Sequence, residues 1–156
     1  MKKDRSEGNT PLSFNIPQHD SLLNIFFTGV LLRKRAREFF ARHGITEVQF
    51  NVLALIHDQA GWDGGLTQVE LSRLLLVNRS NITSLIDRME QGGFVTRAPD
   101  PDDRRNKVVR LTPKGRKRLL AVEGLYCAEV KRVMEGLTVE EMRTLNVMLG
   151  KIREKL

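Results

Sequence analysis

"LTQVELSRLLLVNRSNITSLIDRMEQGGFVTRAPDPDDRRNKVVRLTPKG" runs from Leu66 to Gly115, and its reading decides the fold. Thr67 followed three residues later by Glu70 is a capping box, so a helix opens here and spans 67–75. Leu71, Leu74 and Leu75 supply its inward face. Val77-Asn78 leaves room for a tight link before a second helix at 79–91. In that helix Ile82, Leu85, Ile86 and Met89 recur at 3.6-residue spacing and form one buried stripe. Gly92-Gly93 ends it. Residues 94–97 and 107–111 then read as paired strands, with 98–106 as the loop between them. Two short helices followed by a β-hairpin make a winged helix-turn-helix.

Opposite the buried stripe of the second helix lie Ser80, Ser84, Asp87 and Gln91, flanked by Arg79, Asn81, Thr83 and Arg88. A short, polar, partly cationic face suits a helix laid in a DNA major groove, where hydroxyls and amides reach base edges. An ordinary solvated face has the same composition, so this helix alone leaves the two readings balanced. The loop shifts the balance. Pro99 and Pro101 stiffen its outgoing limb, Asp103 can hold the arginines, and Arg104 and Arg105 sit at the tip, suited to the negative potential of a minor groove. Lys107 follows at the start of the second strand. Between Arg97 and Arg118 nine basic side chains stand against three acids, a net of +6, while the whole 156-residue chain carries +7. That balance points to an anionic partner, nucleic acid or an acidic membrane surface.

The flanks are helical. Residues 1–17 are polar, contain Gly8, Pro11 and Pro17, and read as a mobile tail. From 18 to 42 the apolar residues Leu22, Leu23, Ile25, Phe26, Phe27, Val30, Leu31 and Leu32 cover most of the helix circumference. Such a helix is buried on several sides, which calls for a second partner. Capping boxes at Thr46–Gln49 and Thr138–Glu141 open helices at 47–58 and 138–155, and Thr112-Pro113 opens one at 113–135. The length suits one subunit, 18–156. No apolar run is long enough to cross a bilayer, the polar start is no signal peptide, and a reducing cytoplasm fits. The lone Cys127 makes no internal disulfide and is expected to be buried and inert.

At this point the chain resembles the MarR family of bacterial transcription regulators, over about residues 20–155. The resemblance rests on residues 66–119, with Asp103-Arg104-Arg105 before an apolar strand, Leu111-Thr112-Pro113-Lys114-Gly115 after it, and Arg88, Gly93, Phe94, Val95 and Arg97 at the helix-to-wing junction. It implies a mainly α fold with a small β-hairpin wing, a winged helix (44–112) flanked by dimerisation helices (18–43 and 113–156). It also implies a homodimer, a repressor on a palindromic operator of double-stranded DNA. The apolar residues of 119–133 (Leu119 to Val133) are expected to face those of 142–152 (Met142 to Ile152). By resemblance Arg105 enters the minor groove, Asp103 orients the wing, and Arg88 and Arg97 are candidate partners for Asp103. The DNA-contacting set is Arg79, Ser80, Asn81, Thr83, Ser84, Arg88, Asp103, Arg104, Arg105 and Lys107.

The family also implies a small aromatic or lipophilic effector, often an anion. Phe39, Phe40, His57, Trp62 and Tyr126 are the candidates to line its site, weighed against plain core or loop packing, the commoner fate of such side chains. His19, His43 and His57 are scattered, so neither a metal nor another cofactor is expected. No catalytic triad, phosphate loop or carboxylate pair stands out, so the reading is not an enzyme. The rival is a winged helix used only to bind protein, which has no use for an arginine tip beside a polar recognition face.

Overall fold

The computed structural model describes residues 16–100 and 107–156. Six helices and three strands follow the chain as α1 (Pro17–Arg42), α2 (Glu47–Ala60), β1 (Leu66–Thr67), α3 (Gln68–Leu75), α4 (Arg79–Gln91), β2 (Val95–Pro99), β3 (Lys107–Leu111), α5 (Pro113–Met134) and α6 (Val139–Arg153). The expected tail lies outside the described residues except at its end, where Pro17 occupies the first turn of α1.

All three expected capping boxes form. Thr46 Oγ1 accepts from the Gln49 N–H at 3.2 Å while Gln49 Oε1 accepts from the Thr46 N–H at 2.9 Å. Thr67 with Glu70 and Thr138 with Glu141 repeat the pattern. The Thr138 N–H and hydroxyl hold the Glu141 carboxyl below the usual carboxylate range. Thr112 caps α5 through the Gly115 N–H at 3.0 Å.

The sheet has three antiparallel strands in the order β1-β3-β2. β2 pairs β3 with Val95 opposite Leu111 and Pro99 opposite Lys107. It runs two residues past the expected end, and Pro99 is tolerated because β2 is an edge strand. β1, which no sequence pattern suggested, sets Leu66 opposite Val109 and Thr67 opposite Val108. Two residues are too few to show alternation, and Thr67 doubles as the cap of α3.

The core gathers Phe40, Leu53 and Ile56, Leu71, Ile82, Ile86 and Met89, Val95 and Val109, with Leu119 from α5. The stripe of α4 is buried as expected. Three expectations fail. Leu74 is 40 % exposed, since only Leu71 and half-buried Leu75 turn inward from α3. Cys127 is exposed, because α5 there points away from its own chain's core. Leu119 and Val122 pack into that core instead of facing α6, which has no buried residue. Leu22, Phe26 and Leu31 on α1 and Val147 and Met148 on α6 are all exposed. Apolar surface on that scale marks an interface. No helix among the described residues is long and apolar enough to cross a membrane.

Two glycines and a threonine join the sheet to α5. Gly93 takes φ +71 at the exit of α4, a left-handed conformation that L side chains rarely adopt. Thr112 Oγ1 donates to the Gly93 carbonyl at 2.6 Å. Gly115 passes so close to the strand that an added Cβ would lie 2.0 Å from the Phe94 carbonyl oxygen.

Candidate nucleic-acid interface

α4 presents the expected polar face. Ser80, Asn81, Thr83, Ser84 and Arg88 are all exposed, and Arg79 opens the helix. The Asn78 side chain makes no capping bond and no acid occupies the first turn, so the amino-terminal dipole faces outward without local compensation. A phosphate oxygen is the natural acceptor for such a helix end. Thr83 donates to Gln68 Oε1 on α3 at 3.0 Å, and Arg88 Nε donates to the Ser84 carbonyl at 3.2 Å along its own helix. Lys107 is exposed at the start of β3. Asp103, Arg104 and Arg105 lie outside the described residues, in the segment that joins β2 to β3.

Arg97 is the hinge pin between strand and helix. Its guanidinium pairs with Asp87 at 2.5 Å and with Glu90, and its backbone N–H donates to Glu90 Oε1 at 2.9 Å. Sequence reading placed Asp87 on the DNA-facing side and linked Arg97 to Asp103, and missed Glu90. The two acids stand three apart on α4, one helical turn, and point toward the strand that follows. The expected Asp103 contact lies outside the described residues. The backbone N–H of Arg97, joined by its guanidinium, holds Glu90 below the usual carboxylate range against the opposing cost of burial. Burial pulls the Arg97 guanidinium down, and the bonds to Asp87 and Glu90 outweigh it and hold it above its ordinary value.

A lowered carboxylate stabilises the fold above its unfolded pKa, and that contribution is lost as pH falls through the folded value. The Arg97 tie should therefore survive mild acid and fail only below the usual carboxylate range. The NMR resonance of Arg97 Nε–H, followed on acidification, checks this. Loss of the resonance near neutral pH would contradict it.

The basic cluster at the start of α5 is largely engaged within the chain. Lys114 Nζ donates to the Gly92 carbonyl at 2.7 Å and lies 5.0 Å from the Phe94 ring centroid. Arg116 binds the Trp62 carbonyl, pairs with Asp63 at 2.8 Å and lies over the indole. Arg118 donates to the His43 carbonyl at 3.0 Å. These side chains close the carboxyl end of α4 and the loops after α1 and α2, so part of the local positive charge is structural.

Of the five aromatic candidates for an effector site, two line a cavity and two are core. Phe39 and Phe40 are buried, with Phe40 stacked on Tyr126 at 5.3 Å. A cavity of about 700 Å³ opens between α2, α3 and α5, and His57 and Tyr126 lie in its wall beside Phe50, Leu55, Leu74 and Leu75. Trp62 stands behind His57, rings stacked at 3.6 Å. Burial, and to a smaller degree Glu47, pushes the Tyr126 phenol above its ordinary value, so it stays a neutral hydrogen-bonding group.

Comparison with known proteins places this geometry. The MarR family model matches residues 43–106. The transcriptional repressor YetL of Bacillus subtilis is 30% identical over 134 residues, covering 86% of this chain and 79% of its own. A cysteine-to-serine mutant of Escherichia coli MarR, solved with operator DNA, superimposes with a TM-score of 0.74 and 28% identity, over 90% of this chain and 99% of the other. CouR of Rhodococcus jostii, solved with p-coumaroyl-CoA, gives a TM-score of 0.77 and 25% identity, over 88% of this chain and 94% of CouR.

Proposed function

The chain belongs to the MarR family of DNA-binding transcriptional regulators, and from that premise we propose that it works as a homodimeric repressor on a pseudo-palindromic operator. The observation that carries the reading is the outer face of α4, polar and without a side-chain cap, tied to the wing through Arg97. Each subunit offers one such face, and a two-fold dimer offers two. The exposed apolar residues of α1 and α6 supply the dimer contact, so residues 18–43 and 113–156 assemble the dimer while 44–112 bind DNA. YetL, named as a repressor, supports the direction of regulation. The cavity between α2, α3 and α5 is proposed as the effector site, and CouR offers a precedent for a small-molecule complex on this fold.

Footprinting on DNA fragments selected by the purified protein tests the reading. Protection should cover two half-sites spaced by about one turn, roughly 10 base pairs, and affinity should fall steeply with salt. Sedimentation at low micromolar concentration should show dimer only. An asymmetric footprint with salt-insensitive binding would instead favour a protein-interaction module.

Arg105 is proposed as the minor-groove residue, and Arg105→Ala should cost about 1–3 kcal/mol of operator binding with no loss of folding. Ser84→Ala should change the preference among bases, since its hydroxyl is exposed on α4. Asp103→Ala separates charge from orientation. Loss of an acid tightens binding to random DNA, whereas loss of a fixed arginine geometry weakens binding to the operator. Both affinities measured at matched salt decide the matter, and equal tightening on both DNAs would show that Asp103 orients nothing.

A further inference from the structure

We infer that the cavity between α2, α3 and α5 selects an amphipathic organic cation and disfavours anions. This rests on the proposed effector role of that cavity and names the chemical class it would take. It departs from the lipophilic anions that the family resemblance implies and from the acyl-CoA bound to CouR.

The charge of the lining decides the preference. The cavity measures about 700 Å³, enough for a multi-ring molecule. Leu55, Leu74 and Leu75 give it an apolar wall, and Phe50 and Tyr126 give it aromatic ones. Its charged lining consists of two carboxylates, Asp58 and Glu123, and among the described residues no lysine or arginine lines it. The remaining titratable groups are His57 and Tyr126, and burial keeps the Tyr126 phenol neutral. A carboxylate or phosphate brought here would meet two like charges and no cationic side chain. An ammonium or phosphonium would meet two counter-charges and aromatic faces that attract cations. His57 adds a second feature. It lines the cavity, and its Nδ1 is buried with no hydrogen-bond partner among the described residues. The protein as a whole is basic, at +7, so an acidic cavity runs against the average surface.

Tetraphenylphosphonium and tetraphenylborate are matched in size and shape and opposite in charge, and they test the inference directly. Trp62, the single tryptophan, stacks on His57 and reports occupancy through its fluorescence. The full-length dimer should bind the phosphonium about tenfold more tightly than the borate at physiological salt, the scale of a cation–π contact with two counter-charges nearby. The double variant Asp58→Asn, Glu123→Gln should remove most of that preference. Both substituted side chains are exposed, so the fold should persist, and unchanged circular dichroism verifies it. Borate binding as tight as phosphonium binding, silence of Trp62 to both probes, or a preference unaltered by the double variant would each overturn the inference. Operator binding by the unliganded protein is measured in the same series. Its failure would sink the repressor reading and leave the charge preference standing, and the reverse outcome would do the opposite.

Discussion

Gly115→Ala is expected to destabilise the protein by about 3 kcal/mol or more, the upper range for forcing a methyl group into a packed site. The added carbon would lie 2.0 Å from the Phe94 carbonyl oxygen and 3.4 Å from Leu53 Cδ2. The first neighbour is backbone, so neither a rotamer change nor a flexible tip can relieve the contact. The strand end must move, and with it go the Thr112 bonds to the Gly93 and Phe94 carbonyls. At about 2–4 °C per kcal/mol for a chain of this size, melting should fall by roughly 6–12 °C. Gly124 lies on the same helix, and a Cβ added there would meet nothing within 4 Å, so Gly124→Ala should stabilise by about 0.5–1 kcal/mol through helix propensity. Thermal unfolding of the pair is the check. If both alanine variants melt above the parent, the close approach of α5 to the Phe94 carbonyl is wrong.

The second large effect concerns Arg97→Ala. Operator affinity should drop roughly tenfold, about 1.4 kcal/mol, near the lower end for a hydrogen bond to a charged group. Two causes act together. Asp87 and Glu90 lose their counter-charge on the helix proposed to face DNA, and β2 loses its tether to α4. Stability should change little, a few degrees of melting at most, because both acids are substantially exposed and water screens the pairs. Adding Asp87→Asn to Arg97→Ala separates the causes. Recovery of affinity on operator and random DNA alike assigns the loss to repulsion. Recovery on random DNA alone assigns the operator-specific part to the lost tether. An Arg97→Ala protein with parental operator affinity would show that the tie serves neither purpose.

What sequence reading reached follows from the range of the forces involved. The capping boxes at Thr46, Thr67 and Thr138 and the buried stripe of α4 depend on neighbours within one or two helical turns, and they appear where expected. β1 escaped notice because its identity lies in β3, more than forty residues away. The pairing of Arg97 with Asp87 and Glu90 joins two elements across a turn, and the acids had a competing reading as solvated helix surface. Leu74 was assigned to burial from its helix face, Cys127 from residue type, and the apolar side of α6 from the family resemblance. Their exposure shows that an apolar pattern states that a face seeks cover, not which molecule covers it. Sequence reading also could not see that Lys114, Arg116 and Arg118 at the start of α5 donate to backbone carbonyls, because those partners lie 22 to 75 residues away.

The way α5 is anchored has a mechanical consequence. Its first turn is pinned to the exit of α4 by Thr112, Lys114 and Gly115, and its later turns run to Glu129, which bonds Arg35 on α1. The helix is thus a rigid lever with the reading head at one end and α1 at the other. At 1.5 Å per residue its 22 residues span about 33 Å, so a tilt of roughly 5° displaces the far end by about 3 Å. The cavity touches the lever at Glu123 and Tyr126, near its midpoint and about halfway from the pinned end. A ligand that shifts this point slightly would be read at the tips as a change of gauge between two recognition helices, and DNA of fixed pitch tolerates little change of gauge.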